Sequence, residues 1–170
     1  MSLTPTEQEV RAFVGPNADY YLGAWRRALA GEGGASGFNV AGFFLAGPWL
    51  VYRKMYAAML ILLGIVVVQR SLQIRLLADL LDPGRKASPE SIVLLSLLPQ
   101  VLLALVVGLV VGFGGNRWYL ARARRAIEKV RSKGLPEEAH LQALSLRGGA
   151  SLAAALGLAG LIVVAACMGR

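Results

Sequence analysis

Three stretches of the chain are strongly apolar, two of them long enough to span a membrane unaided, and the polar intervals between them differ in character. The longest, Ser91 to Gly114, holds only Ser91, Ser96 and Gln100 as polar side chains and predicts a transmembrane helix kinked at Pro99. Gly149 to Met168 carries no charge and amounts to about 30 Å of helix, enough to cross a hydrocarbon core. Met55 to Val68 gives only about 21 Å, so its helix must run past Gln69 and Arg70, with Arg70 snorkelling outward. Leu72, Leu76, Leu77, Leu80 and Leu81 then alternate with Gln73, Arg75 and Asp79 at amphipathic spacing, which extends the helix to about residue 81. Asp82, Pro83 and Gly84 stop it, and Ser88, Pro89 and Glu90 start the next.

The remaining segments read as helices with polar edges. Thr4, Pro5 and Glu7 predict a capped start, Gly15 and Pro16 a break, and Asn17 the cap of a second helix on which Tyr21, Leu22, Trp25 and Leu29 recur at helical spacing. Gly31 to Gly37 offers nothing to bury and predicts a flexible linker. Asn39 to Val51 is apolar but too short to span, contains Pro48, and runs into Tyr52, Arg53 and Lys54. Continuing that helix through to Val68 puts two cations at mid-bilayer, at about 2.5 to 3.5 kcal/mol each. The less costly register leaves Asn39 to Gly47 interfacial or re-entrant and places Arg53 and Lys54 at the headgroups. From Arg117 to Lys133, Tyr119, Leu120, Ala123, Ala126, Ile127 and Val130 share one arc of a helix, and seven cations against Glu128 occupy the other.

The fold class that follows is all-α: an integral membrane helical protein with about three transmembrane helices, a cytoplasmic N-terminal helical segment and an amphipathic basic helix. Its parts are residues 1–37, the N-terminal helices and glycine-rich linker; 38–54, the aromatic interfacial or re-entrant segment; and 55–72, the first span, extensible to 81. The second span follows at 91–114, the basic amphipathic helices at 115–147, and the third span at 149–168.

Composition agrees, with 56% hydrophobic and 16% charged residues. A net charge of +8 would suit nucleic acid in a soluble protein, but here the same excess serves orientation, and no nucleic-acid partner is expected. Five Lys and Arg precede the first span, four lie in the first loop, eight fall between Arg117 and Arg147, and one ends the chain. That distribution predicts the N-terminus in the cytoplasm and the C-terminus outside. The residues before Val14 form no apolar signal region, so the first membrane helix is expected to direct insertion.

All thirteen aromatic residues fall between Phe13 and Tyr56 or between Phe113 and Tyr119, both windows edged by cations. The topology places both windows on the cytoplasmic side, where they are expected to meet. Trp25, Trp49, Tyr52, Arg53, Lys54, Arg117, Trp118, Tyr119, Arg122, Arg125 and Lys129 are the candidate contacts with anionic lipid headgroups or another membrane protein. Gly108 and Gly112 form a GxxxG pair, and Gly149, Ala153 and Gly157 repeat the spacing, which predicts packing of the second span on the third or a homo-oligomer face.

Catalytic chemistry has little to stand on. Cys167 is the single cysteine and His140 the single histidine, the latter expected on an exposed helix face; Glu137 and Glu138 suit a helix start. No phosphate loop, metal-ligand spacing or cofactor motif occurs, so neither enzyme activity nor a cofactor is expected. The expected role is a scaffold or adaptor binding a partner protein or anionic lipid at the cytoplasmic face, and a small transporter or channel subunit is the alternative, with Gln100, Arg70 and Arg75 as its few polar groups.

Four runs, Phe13 to Leu22 (FVGPNADYYL), Phe38 to Phe44 (FNVAGFF), Gly47 to Tyr56 (GPWLVYRKMY) and Gly115 to Leu120 (GNRWYL), together resemble a bacterial inner-membrane family. It is the one described as domain of unknown function 2628, in which an FN-x-x-x-FF-x-GPxWLxYRKMY motif precedes membrane helices and an NRxY-type basic stretch. The likeness covers about Phe13 to Lys133, with Gly42 as a departure inside the apolar block. It implies a multi-pass protein of the bacterial cytoplasmic membrane and brings no catalytic residue with it.

Overall fold

The computed structural model describes residues 4–81 and 88–168, with backbone alone at 163 and 165–168. The expected stop at Asp82, Pro83 and Gly84, the side chain of Cys167, and Arg170 lie outside the described residues. In order, the helices are α1 (Glu7–Val14), α2 (Ala18–Leu29), α3 (Val40–Phe44), α4 (Ala46–Tyr52), α5 (Tyr56–Leu80), α6 (Pro89–Arg131), α7 (Glu137–Arg147) and α8 (Leu152–Met168). No strand occurs among the described residues.

Three stretches are long and apolar enough to cross a membrane: Tyr56–Leu80, Pro89–Arg131 and Glu137–Ile162, with mean hydropathies of 1.9, 2.6 and 1.4. The third is not one continuous helix. Residues 148–151 separate α7 from α8, and Gly149 takes a left-handed φ of 69°. Its apolar part is therefore α8, 17 residues or about 25 Å.

The dominant element is α6, 43 residues and roughly 65 Å long. Its first half is apolar and largely exposed, as a lipid-facing helix must be, while its second half, from Gly115 on, buries Asn116, Tyr119, Leu120, Ala123, Ile127 and Val130 beneath the N-terminal helices and α7. The two halves form one helix. Gly112 and Gly115 do not turn the chain; they let neighbours approach it. A Cβ at Gly112 would stand 2.5 Å from the Phe38 ring, and one at Gly115 3.1 Å from Trp49. Gly108 likewise faces Phe43. The GxxxG groove is thus filled by Phe38 and the short helix α3 that follows it, not by the third span, and α8 packs on α4.

Local signals explain the N-terminal segment. Two T-x-x-E frames overlap, and the second closes: Thr6 accepts from the Glu9 N–H at 3.3 Å, and Glu9 accepts from the Thr6 N–H at 2.8 Å. The frame beginning at Thr4 loses because Glu9, unlike Glu7, also has partners on α6 and α7. Asn17 precedes α2 in the left-handed region at φ 68° and makes no side-chain cap. Asparagine tolerates that conformation, so its role there is the turn itself. The linker is pinned at its end, where the Ser36 N–H bonds the Ala24 carbonyl at 2.8 Å and Ala35 is buried.

Candidate functional site

One stripe of α6 changes chemistry along its length. Leu103, Val106, Val107, Val110 and Val111 line its membrane half; Trp118, Arg122, Arg125 and Lys129 continue the same face at spacings of seven, three or four residues. Opposite the apolar half stand Ile61, Leu62 and Ile65 of α5, and Arg147 of α7 adds a further cation at the basic end. The result is an open groove of about 840 Å³, apolar at one end and basic at the other. Helical side chains lean toward the helix N-terminus, so the α6 arginines lean back toward the apolar half.

The cations of this groove are only partly engaged. Arg122 donates from Nη2 to the Arg147 carbonyl at 3.2 Å, while its Nε is buried without an acceptor. Arg125 donates to the Ala121 carbonyl of its own helix at 3.2 Å. Trp118, 40% exposed, is the accessible tryptophan; Trp25 and Trp49 are buried.

The other candidate residues separate into two groups. Arg117 is exposed beside the groove, and the Lys54 amine reaches the Leu146 carbonyl at 3.4 Å. Trp25, Trp49, Arg53 and Tyr119, by contrast, are interior residues. Sequence reasoning placed them at a surface because aromatic and basic residues usually gather there; here the two aromatic windows meet and bury each other. Tyr119 lies 4.9 Å from Tyr21, 5.4 Å from Trp25 and 5.8 Å from Phe13, centroid to centroid. The Trp25 indole donates to the Asn116 carbonyl at 3.0 Å. Arg53 is enclosed by the protein: its guanidinium carbon sits 4.6 Å from the Tyr21 ring, 5.0 Å from Tyr52 and 5.1 Å from Tyr119. Burial pushes the Tyr21 phenol above its ordinary value, with the Arg53 charge opposing.

A second polar cluster escaped the sequence reading. Glu9 of α1 accepts from Arg131 Nε of α6 at 2.7 Å and lies 3.0 Å from His140 Nε2 of α7. Burial works against its ionisation, but Arg131, the Thr6 N–H and His140 together hold its carboxyl down at about 2. His140 is accordingly a partner of Glu9 and not an exposed helix residue. Sequence separation hides this cluster; the only local signal is the T-x-x-E frame at Thr6. Of the polar groups of the transporter alternative, Gln100 bonds the Ser96 carbonyl at 2.8 Å and Arg70 bonds Gln73 at 3.1 Å, while Arg75 is exposed. Among the described residues no group of three metal-ligating side chains occurs.

Fold and site together define a helical membrane protein with three candidate spans and a compact helical layer gathered around the far half of α6. The family described as "Protein of unknown function (DUF2628)" matches residues 26–125, and the chain belongs to that family. No curated protein and no solved structure matches it.

Proposed function

We propose that the protein is a non-enzymatic scaffold of the bacterial cytoplasmic membrane that holds an anionic phospholipid in the α5–α6 groove. The carrying observation is the α6 stripe, whose apolar residues give way to Trp118 and then to Arg122 and Arg125 on one face. Acyl chains suit the valine and leucine wall, and a phosphate suits the leaning guanidiniums, each cation contributing about 1 kcal/mol near an anionic leaflet. The excess of Lys and Arg between residues 117 and 147 supports a cytoplasmic position for this end and for the N-terminus. With its aromatic core closed, the layer of α1, α2 and α7 becomes a rigid platform beside the lipid, suited to an adaptor for another membrane protein.

Because Trp118 is the accessible tryptophan, quenching by brominated lipids reports on this groove. Brominated phosphatidylglycerol is expected to quench more strongly than brominated phosphatidylcholine. The double change Arg122→Gln and Arg125→Gln should reduce that preference roughly tenfold. Equal quenching by both lipids in the unaltered protein would end this reading.

A further inference from the structure

Arg53 is the one cation among the described residues buried to 3% exposure. It sits just past the end of α4, where its Nη1 donates to the Val14 carbonyl at 3.3 Å. Its Nε is buried without an acceptor, and no carboxylate among the described residues pairs with it. Three tyrosine rings attract the guanidinium through their faces. Ring faces, one carbonyl and the Tyr21 and Tyr119 hydroxyls are neutral partners, and an opposite charge replaces the hydration a guanidinium gives up far better.

Arg53 borders a cleft of about 660 Å³ between α2, α3, α4 and α8, which shares no lining residue with the α5–α6 groove. Asn39, 2% exposed, borders it too, with its Nδ2 packed against Gly115 of α6 and without an acceptor. The wall that α8 contributes to the cleft is apolar. Ala155, Leu156 and Ala159 present one face of α8, and Leu45 stands among the residues of the opposite wall. The small side chains at 155 and 159 leave a track along the helix. An unpaired cation at the cleft's border and an alkane-like track on α8 describe a ligand with one charge and one tail.

We propose that this cleft binds a single-chain anionic amphiphile, its carboxylate or phosphate held by Arg53 and its alkyl chain lying along Ala155, Leu156 and Ala159. The tail enters from the span side, where α8 is apolar, and the head closes the open charge of the tyrosine cage. The cation already stands in its place, so the ligand supplies only the countercharge.

The test uses the full chain in maltoside micelles, in the Arg122→Gln, Arg125→Gln background so that the other groove contributes little. Calorimetric titration compares laurate, dodecyl phosphate, dodecanol and inorganic phosphate. At least one of the two charged amphiphiles should bind about tenfold or more tighter than dodecanol, which has the chain without the charge. Whichever of laurate and dodecyl phosphate binds tighter names the head. Arg53→Gln risks the fold, so the track is blocked instead: Ala159→Phe should weaken binding of the preferred amphiphile about tenfold. Dodecanol binding as well as both charged amphiphiles overturns the proposal. So does inorganic phosphate matching dodecyl phosphate, or unchanged binding in Ala159→Phe. None of these results bears on Trp118 quenching, so the two sites stand or fall separately.

Discussion

Gln73 of α5 donates its side-chain amide to the Leu95 carbonyl of α6 at 3.1 Å, and Leu95 is the residue whose helical donor Pro99 lacks. The same amide reaches the Ser96 carbonyl at 2.7 Å. Gln73 is buried to 3% exposure, and its Oε1 accepts from Arg70 at 3.1 Å and Gln69 at 3.3 Å on its own helix. The pair resolves two problems at once: a buried side-chain amide and a carbonyl orphaned by proline. Gln73→Leu should therefore destabilise the α5–α6 hairpin by about 1 to 2 kcal/mol, read as a lower midpoint of unfolding in mixed micelles. Adding Pro99→Ala to that variant returns a backbone donor to Leu95 and should recover part of the loss. A double variant no more stable than Gln73→Leu alone would show that the orphaned carbonyl is not what Gln73 serves.

Gly112 and Gly64 make a matched comparison. Both are glycines in membrane helices, but a Cβ at Gly112 meets the Phe38 ring at 2.5 Å, whereas one at Gly64 meets nothing within 4 Å. Alanine at 112 should displace α3 and cost about 1 to 3 kcal/mol, while alanine at 64 should be neutral or slightly stabilising. Parallel thermal denaturation of the two variants checks it. Equal shifts would mean that α3 does not depend on close approach at Gly112.

Much of this architecture is legible in the chain because lipid imposes a length and an absence of charge on any span. The aromatic windows also announce a meeting. What hides is the depth at which they meet. Trp25, Tyr119 and Arg53 have the composition of an interfacial belt, and only tertiary packing distinguishes a belt from a core made of the same residues. Glycine is ambiguous in the same way: Gly112 and Gly115 break a helix on propensity alone, yet here they admit Phe38 and Trp49 against one that continues. Glu9 and His140 are 131 residues apart, and no periodicity connects them.

Asn116 holds the linker closed. Its buried Nδ2 lies 3.1 Å from the Gly37 carbonyl, 3.3 Å from that of Ser36 and 3.2 Å from the Tyr20 hydroxyl. Glu32 lies in the same linker, so a glutamate-specific protease reports its opening. Asn116→Ala removes all three contacts and should speed cleavage after Glu32 about tenfold, by roughly 1 to 2 kcal/mol of lost restraint. Tyr20→Phe removes one acceptor and should change the rate by less than about twofold. Unchanged cleavage in Asn116→Ala would place the restraint in the Ser36 backbone bond alone.

Glu9 gives the stability of the helical layer a defined dependence on acid. Its carboxyl lies at about 2 in the folded protein against an ordinary value of 4.5, and a depressed acid stabilises the fold only while ionised. The contribution is therefore complete above about pH 4.5 and is lost as pH falls toward 2. A gap of that size corresponds to roughly 3 kcal/mol, shared among the Arg131, Thr6 and His140 contacts. Glu9→Gln keeps the shape but not the charge, leaving Arg131 and His140 without their common anion. It should lower stability at neutral pH by about 2 to 3 kcal/mol and flatten the acid limb, which other carboxyls then shape alone. Urea titrations at stepped pH, followed by tryptophan emission, compare the two proteins directly. If the two curves stay parallel from pH 7 to pH 2, the anchoring of α1 to α6 and α7 does not reside in the Glu9 charge.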